Sequence, residues 1–238
     1  MTDPVLAPLR LTGPGLDRAR LAALAAETGL DPAGAGPVVE AVAEGDAEGL
    51  TAALACDAAA IVELAAGRPF PTGRLAEALA GACVLHLSLC TRTAWSFDTA
   101  AQFCDGLAAR GLLPDWLRHD VELSLHEAVV NAVLHGNLAM GGSLVDDTAE
   151  FDAFCARLSA RLEDTDAAAR RVELTALRRD GLLLLRVADE GAGYDPATVP
   201  RPVDITAKSG RGLEIMRTMA SLMEVGEGGR AVTLGFAV

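Results

Sequence analysis

The chain has 238 residues, enough to bury a sizeable core as one large domain or as a main domain with a smaller companion. With 51% hydrophobic and 22% charged residues it has the balance of a soluble globular protein. Its net charge of −13, from 20 Lys+Arg against 33 Asp+Glu, opposes direct binding to nucleic-acid phosphates or to anionic membranes and makes a basic protein surface the easier partner.

The five cysteines, Cys56, Cys83, Cys90, Cys104 and Cys155, are odd in number and form no CxxC, so buried free thiols in a reducing cytosol are expected in place of disulfides or a zinc ribbon. The opening MTDPVLAPLR carries an acidic residue and a proline where an export signal would be basic and then apolar. The uncharged run Ala78 to Thr91 is shorter than the ~20 residues of a membrane span. A cytoplasmic protein is expected.

In chain order, the pattern predicts a strand at Leu9–Thr12, a helix over Leu16–Thr28, a strand at Val38–Val42, a helix over Asp46–Cys56 and a strand at Ala60–Leu64. This β-α-β-α-β order implies a small parallel sheet. Gly13-Pro14-Gly15 suits a plain turn, and Gly34-Ala35-Gly36 precedes Pro37 and a strand, so neither reads as a phosphate turn. The order resembles the first half of a receiver domain of two-component signalling. However, Leu11-Thr12-Gly13 is not acidic, and Glu63 occupies the third strand, where that resemblance implies a phosphoacceptor Asp. A docking or dimerisation module is therefore favoured over a working receiver. Pro69, Pro71 and Gly73 interrupt the pattern, and a short helix over Arg74–Ala82 leads to a boundary, giving domains of residues 1–82 and 83–238.

Val84 to Cys90 alternates as a half-buried strand, with His86 read as a strand-face residue and not a ligand. A helix over Phe97–Ala109 follows, and Pro114 suits the first turn of a long helix ending at Gly136. Its second half, VELSLHEAVVNAVLHGN from Val121 to Asn137, places Glu127, Asn131 and His135 at i, i+4 and i+8 on one stripe of an otherwise apolar helix. Gly136 fits a C-terminal cap with positive φ. Turning a carboxylate and a carboxamide inward costs roughly 1–3 kcal/mol for each unpaired group, which asks for a ligand.

Leu144 to Thr165 carries Phe151, Phe154, Leu158 and Leu162 at helical spacing, with Asp147 or Thr148 as N-cap, and reads as an amphipathic helix with its aromatic stripe in the core. Strands at Arg171–Leu177 and Leu182–Ala188 are joined by the hairpin signal Arg179-Asp180-Gly181. The second strand is nearly all apolar and so central to a sheet. It runs into Asp189-Glu190-Gly191-Ala192-Gly193-Tyr194, a fixed acceptor beside backbone that a flat ligand such as adenine can approach. After Pro196, Pro200 and Pro202, Ser209-Gly210-Arg211-Gly212-Leu213 opens a helix whose free N–H groups suit phosphate. Strands at Leu222–Val225 and Ala231–Val238 close the chain.

Singly these motifs are common. In order, E-x-x-x-N-x-x-x-H-G-N, D-E-G-A-G-Y and S-G-R-G-L, on a helix, a strand end and a helix start, resemble the N box and two glycine boxes of the GHKL ATPases. That superfamily includes DNA gyrase, the heat-shock chaperone ATPase and sensor histidine kinases. The resemblance spans about Val84 to Val238 and is nearest to the anti-sigma-factor serine/threonine kinases. It implies an α/β fold of Bergerat type, an α+β two-layer sandwich on a mixed sheet, with ATP and Mg²⁺ as cofactors.

The resemblance also implies roles. Asn131 would hold Mg²⁺ against the ATP phosphates, and Glu127 would orient or deprotonate the attacking hydroxyl. His135, Gly136 and Asn137 would line the phosphate edge. Asp189 would accept from the adenine amino group while Gly191 and Gly193 admit the purine. Lys208, Gly210, Arg211, Gly212 and Leu213 would close over the phosphates. An anti-anti-sigma protein of STAS type and a sigma factor are the implied partners, and a homodimer is compatible with the resemblance. The helix around Phe151–Leu162 is longer than the minimal anti-sigma kinase needs. His126-Glu127 imitates the phosphoacceptor dipeptide of histidine kinases, but lies inside the nucleotide helix with His126 facing away. A nucleotide-gated binding switch without phosphotransfer and a slow ATPase are the alternatives to a kinase.

Overall fold

The computed structural model describes residues 9–140, 148–195 and 211–238. Eight strands form one mixed sheet in the order β1-β2-β3-β4-β5-β6-β8-β7. β1 (Arg10–Thr12), β2 (Val38–Val42), β3 (Ala60–Glu63) and β4 (Cys83–Cys90) pair in parallel. β5 (Arg171–Arg179), β6 (Leu182–Asp189), β7 (Leu222–Gly226) and β8 (Ala231–Ala237) continue the sheet from β4 with antiparallel pairings. Parallel neighbours need crossovers, which α1 (Arg18–Thr28), α2 (Ala47–Ala55) and α3 (Thr72–Leu79) supply. The β5–β6 hairpin closes on Asp180 and Gly181, with φ of 52° and 75°, the two-residue turn whose twist matches that of the strands.

On one face, α2, α5 (Thr99–Ala109), α6 (Asp115–Asn131) and α9 (Gly212–Met219) cover Leu85, Leu87, Leu174, Leu185 and Phe236 in the larger core. α4 (Thr91–Ser96), α7 (Thr148–Glu163) and α8 (Thr165–Ala169) add Ala94, Leu158 and Ala167 to it. On the other face, α1 and α3 place Leu24 and Leu75 over Leu11, Val39 and Val62. This is the two-layer α/β arrangement expected, with further helices covering the back of the N-terminal strands. Among the described residues, no helix is long and apolar enough to cross a membrane.

The sheet does not stop at residue 82. His86 and Ser88 of β4 stand opposite Ala60 and Val62 of β3, and Leu50 and Leu54 of α2 share the core with Phe103 and Leu107 of α5. Arg110, just after α5, donates to the carbonyls of Leu54 at 2.7 Å and Ala58 at 2.9 Å, and also to that of Cys56, tying off the end of α2.

Several expectations are corrected. The helix before β4 is Thr72–Leu79 and not Arg74–Ala82. α6 gives way at Ala132 to a π-helical turn, Ala132–Asn137, and Gly136 is not among the glycines with positive φ, so it is no left-handed cap. Phe151, placed in the core by its spacing, is 52% exposed, while Phe154 and Leu162 pack against the core and Leu158 is buried. Asp147, the candidate cap of that helix, lies outside the described residues. All five thiols are free, but Cys56 and Cys155 are exposed and not buried. Glu63 is fully buried, its carboxylate accepting from the Gly45 N–H (2.8 Å), the Cys90 N–H (2.7 Å) and the Thr93 hydroxyl (2.5 Å).

Candidate functional site

The site is built on α6. Pro114 precedes its first turn with extended backbone, and Asp115 puts an acidic group at the positive end of the helix dipole. Leu117, Val121, Leu125, Ala128 and Val129 are buried, which fixes the helix rotation and leaves Glu127 and Asn131 half-buried on a different stripe. That stripe meets the start of α9. A Cβ on Gly212 would lie 2.5 Å from Glu127 Oε2 and 3.3 Å from Asn131 Nδ2, so a side chain at the first residue of α9 would displace the Glu127 carboxylate. The Glu127 carboxylate thus stands at the positive end of α9. Neither the Glu127 nor the Asn131 side chain has a hydrogen bond or ion pair with another described residue, and both lie against the start of α9.

The π-helical turn changes the helical phase of the residues after Asn131. It is marked by the bonds Leu138 N–H to Val133 O at 2.9 Å and Met140 N–H to Leu134 O at 2.7 Å, each spanning more than a regular turn. His135 is carried out to solvent, with its Nδ1 3.0 Å from the Met140 carbonyl oxygen. Asn137 is carried inward until it is fully buried. Its Nδ2 donates to the Thr91 hydroxyl and the Arg171 carbonyl, both at 2.8 Å, and its Oδ1 accepts from the Glu190 N–H at 2.8 Å. With both functions of its carboxamide engaged, Asn137 ties the turn to α4, β5 and the end of β6.

Asp189 ends β6 and is 7% exposed. Burial pushes its carboxyl pKa up, while the Gly191 N–H, donating to Oδ1 at 2.7 Å, and the Arg230 charge pull it back down. Oδ2 has no protein partner among the described residues and is left to accept from a ligand N–H. The glycines around Asp189 are needed for close packing. A Cβ on Gly136 would run into the Asp189 carboxylate, and one on Gly191 into the Gly136 carbonyl. Gly193 takes φ 73° and packs against the Gly228 carbonyl, which also accepts from the Tyr194 N–H at 3.0 Å. Gly191 and Gly193 therefore lock the strand end to the π-helical turn and to the β7–β8 turn, a requirement of the protein itself beyond the expected room for a purine.

Of the remaining expected residues, Arg211 is exposed immediately before α9, and Leu213 is half-buried and packs against the larger core. Lys208 and Gly210 lie outside the described residues. His126 is exposed, as its position on the helix implies. Among the described residues, no three His, Cys, Asp or Glu side chains cluster into a metal cage. The hard carboxamide oxygen of Asn131 nevertheless suits Mg²⁺, which takes few protein ligands and completes its shell with phosphate oxygens and water. Thr91, Arg171 and Glu190 organise the site without having been singled out. Their signal was faint: an arginine at the head of an alternating apolar strand, and an acid directly after Asp189.

The family model of the histidine kinase-like ATPase domain matches residues 91–236, from the start of α4 into β8, and includes all three motifs. No curated protein matches the chain.

Proposed function

Because the chain belongs to the histidine kinase-like ATPase domain family, which accounts for more than half of its length, we propose that it binds ATP with Mg²⁺ and phosphorylates a serine or threonine of a small anti-anti-sigma partner of STAS type. In this reading the chain alternates between that partner and a sigma factor. One observation carries it: Glu127 and Asn131, both without protein partners among the described residues, stand side by side at the N-terminus of α9.

The adenine amino group donates to Asp189 Oδ2, the acceptor left over when Oδ1 takes the Gly191 N–H. Asn131 offers a neutral oxygen to Mg²⁺ without repelling the phosphates. Bound there, the ion supplies charge neutralisation at the phosphate oxygens. Glu127 accepts the proton of the partner's hydroxyl as that oxygen bonds to the γ-phosphorus. The bond from the γ-phosphorus to the β,γ-bridging oxygen breaks, and ADP leaves with that oxygen.

The close approach of Glu127 to Gly212 also suits a second reading, a nucleotide-gated switch in which ATP separates the carboxylate from α9 and so selects a partner without transfer. Glu127→Ala distinguishes them. As a general base, Glu127 accounts for about 10²–10⁴-fold in rate, so the variant is expected to lose partner phosphorylation by that factor while ATP affinity changes only a few-fold. Transfer at the full rate would overturn the base assignment. Tight ATP binding with no phosphorylated product from any partner would favour the switch, and partner-independent phosphate release would identify a slow ATPase.

A further inference from the structure

Val172 stands opposite Asp189 in the β5–β6 register, so these two share a face of the sheet and Arg171 points to the other. On that face, α1, the segment after β3 and the start of β5 enclose a cavity of about 190 Å³ lined by Arg20, Leu24, Glu27, Arg68, Phe70 and Arg171. Three guanidinium groups and one carboxylate meet here in a chain whose net charge is −13.

Arg171 is 3% exposed, and among the described residues its side chain makes one hydrogen bond, from Nη1 to the Glu63 carbonyl at 2.6 Å. The neighbouring carboxylates are engaged elsewhere. Glu63 accepts from Gly45, Cys90 and Thr93, and Glu173 accepts from Arg74 Nη1 at 2.9 Å and from the Ser88 hydroxyl. Among the described residues, Arg171 has no ion pair and its Nε and Nη2 have no partner. A guanidinium does not deprotonate, and although its charge also acts on Glu173, its Nε and Nη2 are not sealed off and open onto the cavity, where an anion can reach them. The Arg20 side chain likewise has no partner among the described residues, and Arg68 Nη2 is held by Glu190 Oε2 at 2.5 Å. Among the described residues, the cavity carboxylate, Glu27, accepts only a long bond of 3.4 Å from the Phe70 N–H.

We propose that this cavity is an anion site for a phosphate group, taken as inorganic phosphate or as the phosphoryl end of a small monoester. Three planar forks approaching from α1, the β3–α3 segment and β5 suit the several oxygens of a tetrahedral phosphate better than the two of a carboxylate. The volume admits a phosphate and a few attached atoms but not a whole nucleotide. Arg68 swings from Glu190 to the incoming anion, so Glu190 is the internal competitor for the site. Glu190 also accepts from the Arg171 N–H and donates its own N–H to Asn137, both at 2.8 Å, so occupancy is transmitted to the strand end that carries Asp189. That last link rests on the proposed nucleotide reading, whereas the anion site does not.

The test is a calorimetric titration of the full chain with inorganic phosphate and with phosphoserine, each without nucleotide and with saturating ADP-Mg²⁺. One phosphate per chain is expected to bind with ADP present. Arg20→Ala is expected to weaken it about tenfold, the equivalent of one charge-assisted contact. Glu190→Gln is expected to tighten it several-fold by freeing Arg68. Tighter binding of phosphoserine than of phosphate would identify the monoester, and the reverse the free ion. Absence of saturable binding of either probe would overturn the site, as would affinity unchanged in both Arg20→Ala and Arg68→Ala. One-for-one displacement by ADP would also overturn it by placing the phosphate in the nucleotide site. If ADP itself fails to bind while phosphate binds, the nucleotide reading fails and the anion site stands.

Discussion

Asn137 and Asn131 are the same amino acid six positions apart and do different work. The Asn131 carboxamide has no partner among the described residues. Asn137 commits both ends of its own to Thr91, Arg171 and Glu190. Asn137→Leu removes the acceptor of the Glu190 N–H and the donor to the Arg171 carbonyl and the Thr91 hydroxyl, the last of which keeps its own bond to the Arg170 carbonyl, at roughly 1–3 kcal/mol for each group that water cannot reach. A loss of about 2–4 kcal/mol in urea unfolding is therefore expected, with ATP affinity falling as the Asp189 turn loosens. Unchanged stability with lost affinity would instead place Asn137 at the phosphate edge. The spacing of Glu127 and Asn131 was legible because both sit in regular α-helix, where i and i+4 share a face. His135 and Asn137 were not legible by the same rule. The π-helical turn that rephases them is held by Thr91, Arg171 and Glu190, residues distant in sequence whose convergence leaves no local periodicity to read.

At the level of elements, β4 and β5 carry a polar ladder on the face away from α6, pairing His86 with Thr175 and Ser88 with Glu173. His86 Nδ1 lies 3.0 Å from the Thr175 hydroxyl, and its buried Nε2 has no partner among the described residues. Burial, with Arg186 and Arg74 nearby, lowers its pKa to about 4. The folded protein thus favours the neutral ring, and the unfolded chain binds more protons between about pH 4 and the ordinary histidine value near 6.5. The His86 contribution to stability is therefore fully present above pH 6.5 and lost as the pH falls toward 4, a change of about 3 kcal/mol across that window. Carboxyls raised by burial, including Glu40, Glu173 and Asp189, act with the opposite sign. For that reason the difference between the wild type and His86→Gln is the informative quantity. Denaturant unfolding from pH 7 to pH 4.5 is expected to show the wild type losing stability faster than the variant, and parallel losses would contradict the buried neutral ring. Alternation predicted a half-buried β4 with His86 on one face, whereas both faces of the strand are buried from Leu85 onward. It could not show that α3 would cover that face and bring Arg74 to Glu173 at 2.9 Å.

The whole molecule is organised by one sheet that crosses residue 82 through the β3–β4 pairing. The strands themselves were readable from apolar runs and turn residues, and most fall within a residue or two of their expected bounds. Their lateral order was not, because pairing joins segments far apart in the chain and depends on which faces the helices leave free. The placement of Arg68, Glu63 and Arg171 between the N-terminal strands and the site follows from that order. The three motifs, in contrast, were readable as a set. α6 presents Glu127 and Asn131, α9 begins against them at Gly212, and the Asp189 strand end packs on Gly136 of the turn that continues α6. The central claim is that this junction binds ATP, with Asp189 receiving the adenine. Asp189→Asn tests it most directly, since the Asn side-chain oxygen can still take the Gly191 N–H while its NH₂ replaces the acceptor offered to the base. In a titration of the full chain with ATP and Mg²⁺, the variant is expected to bind about tenfold to a hundredfold more weakly than the wild type, the equivalent of roughly 1–3 kcal/mol. Equal affinity in the two proteins would contradict the account.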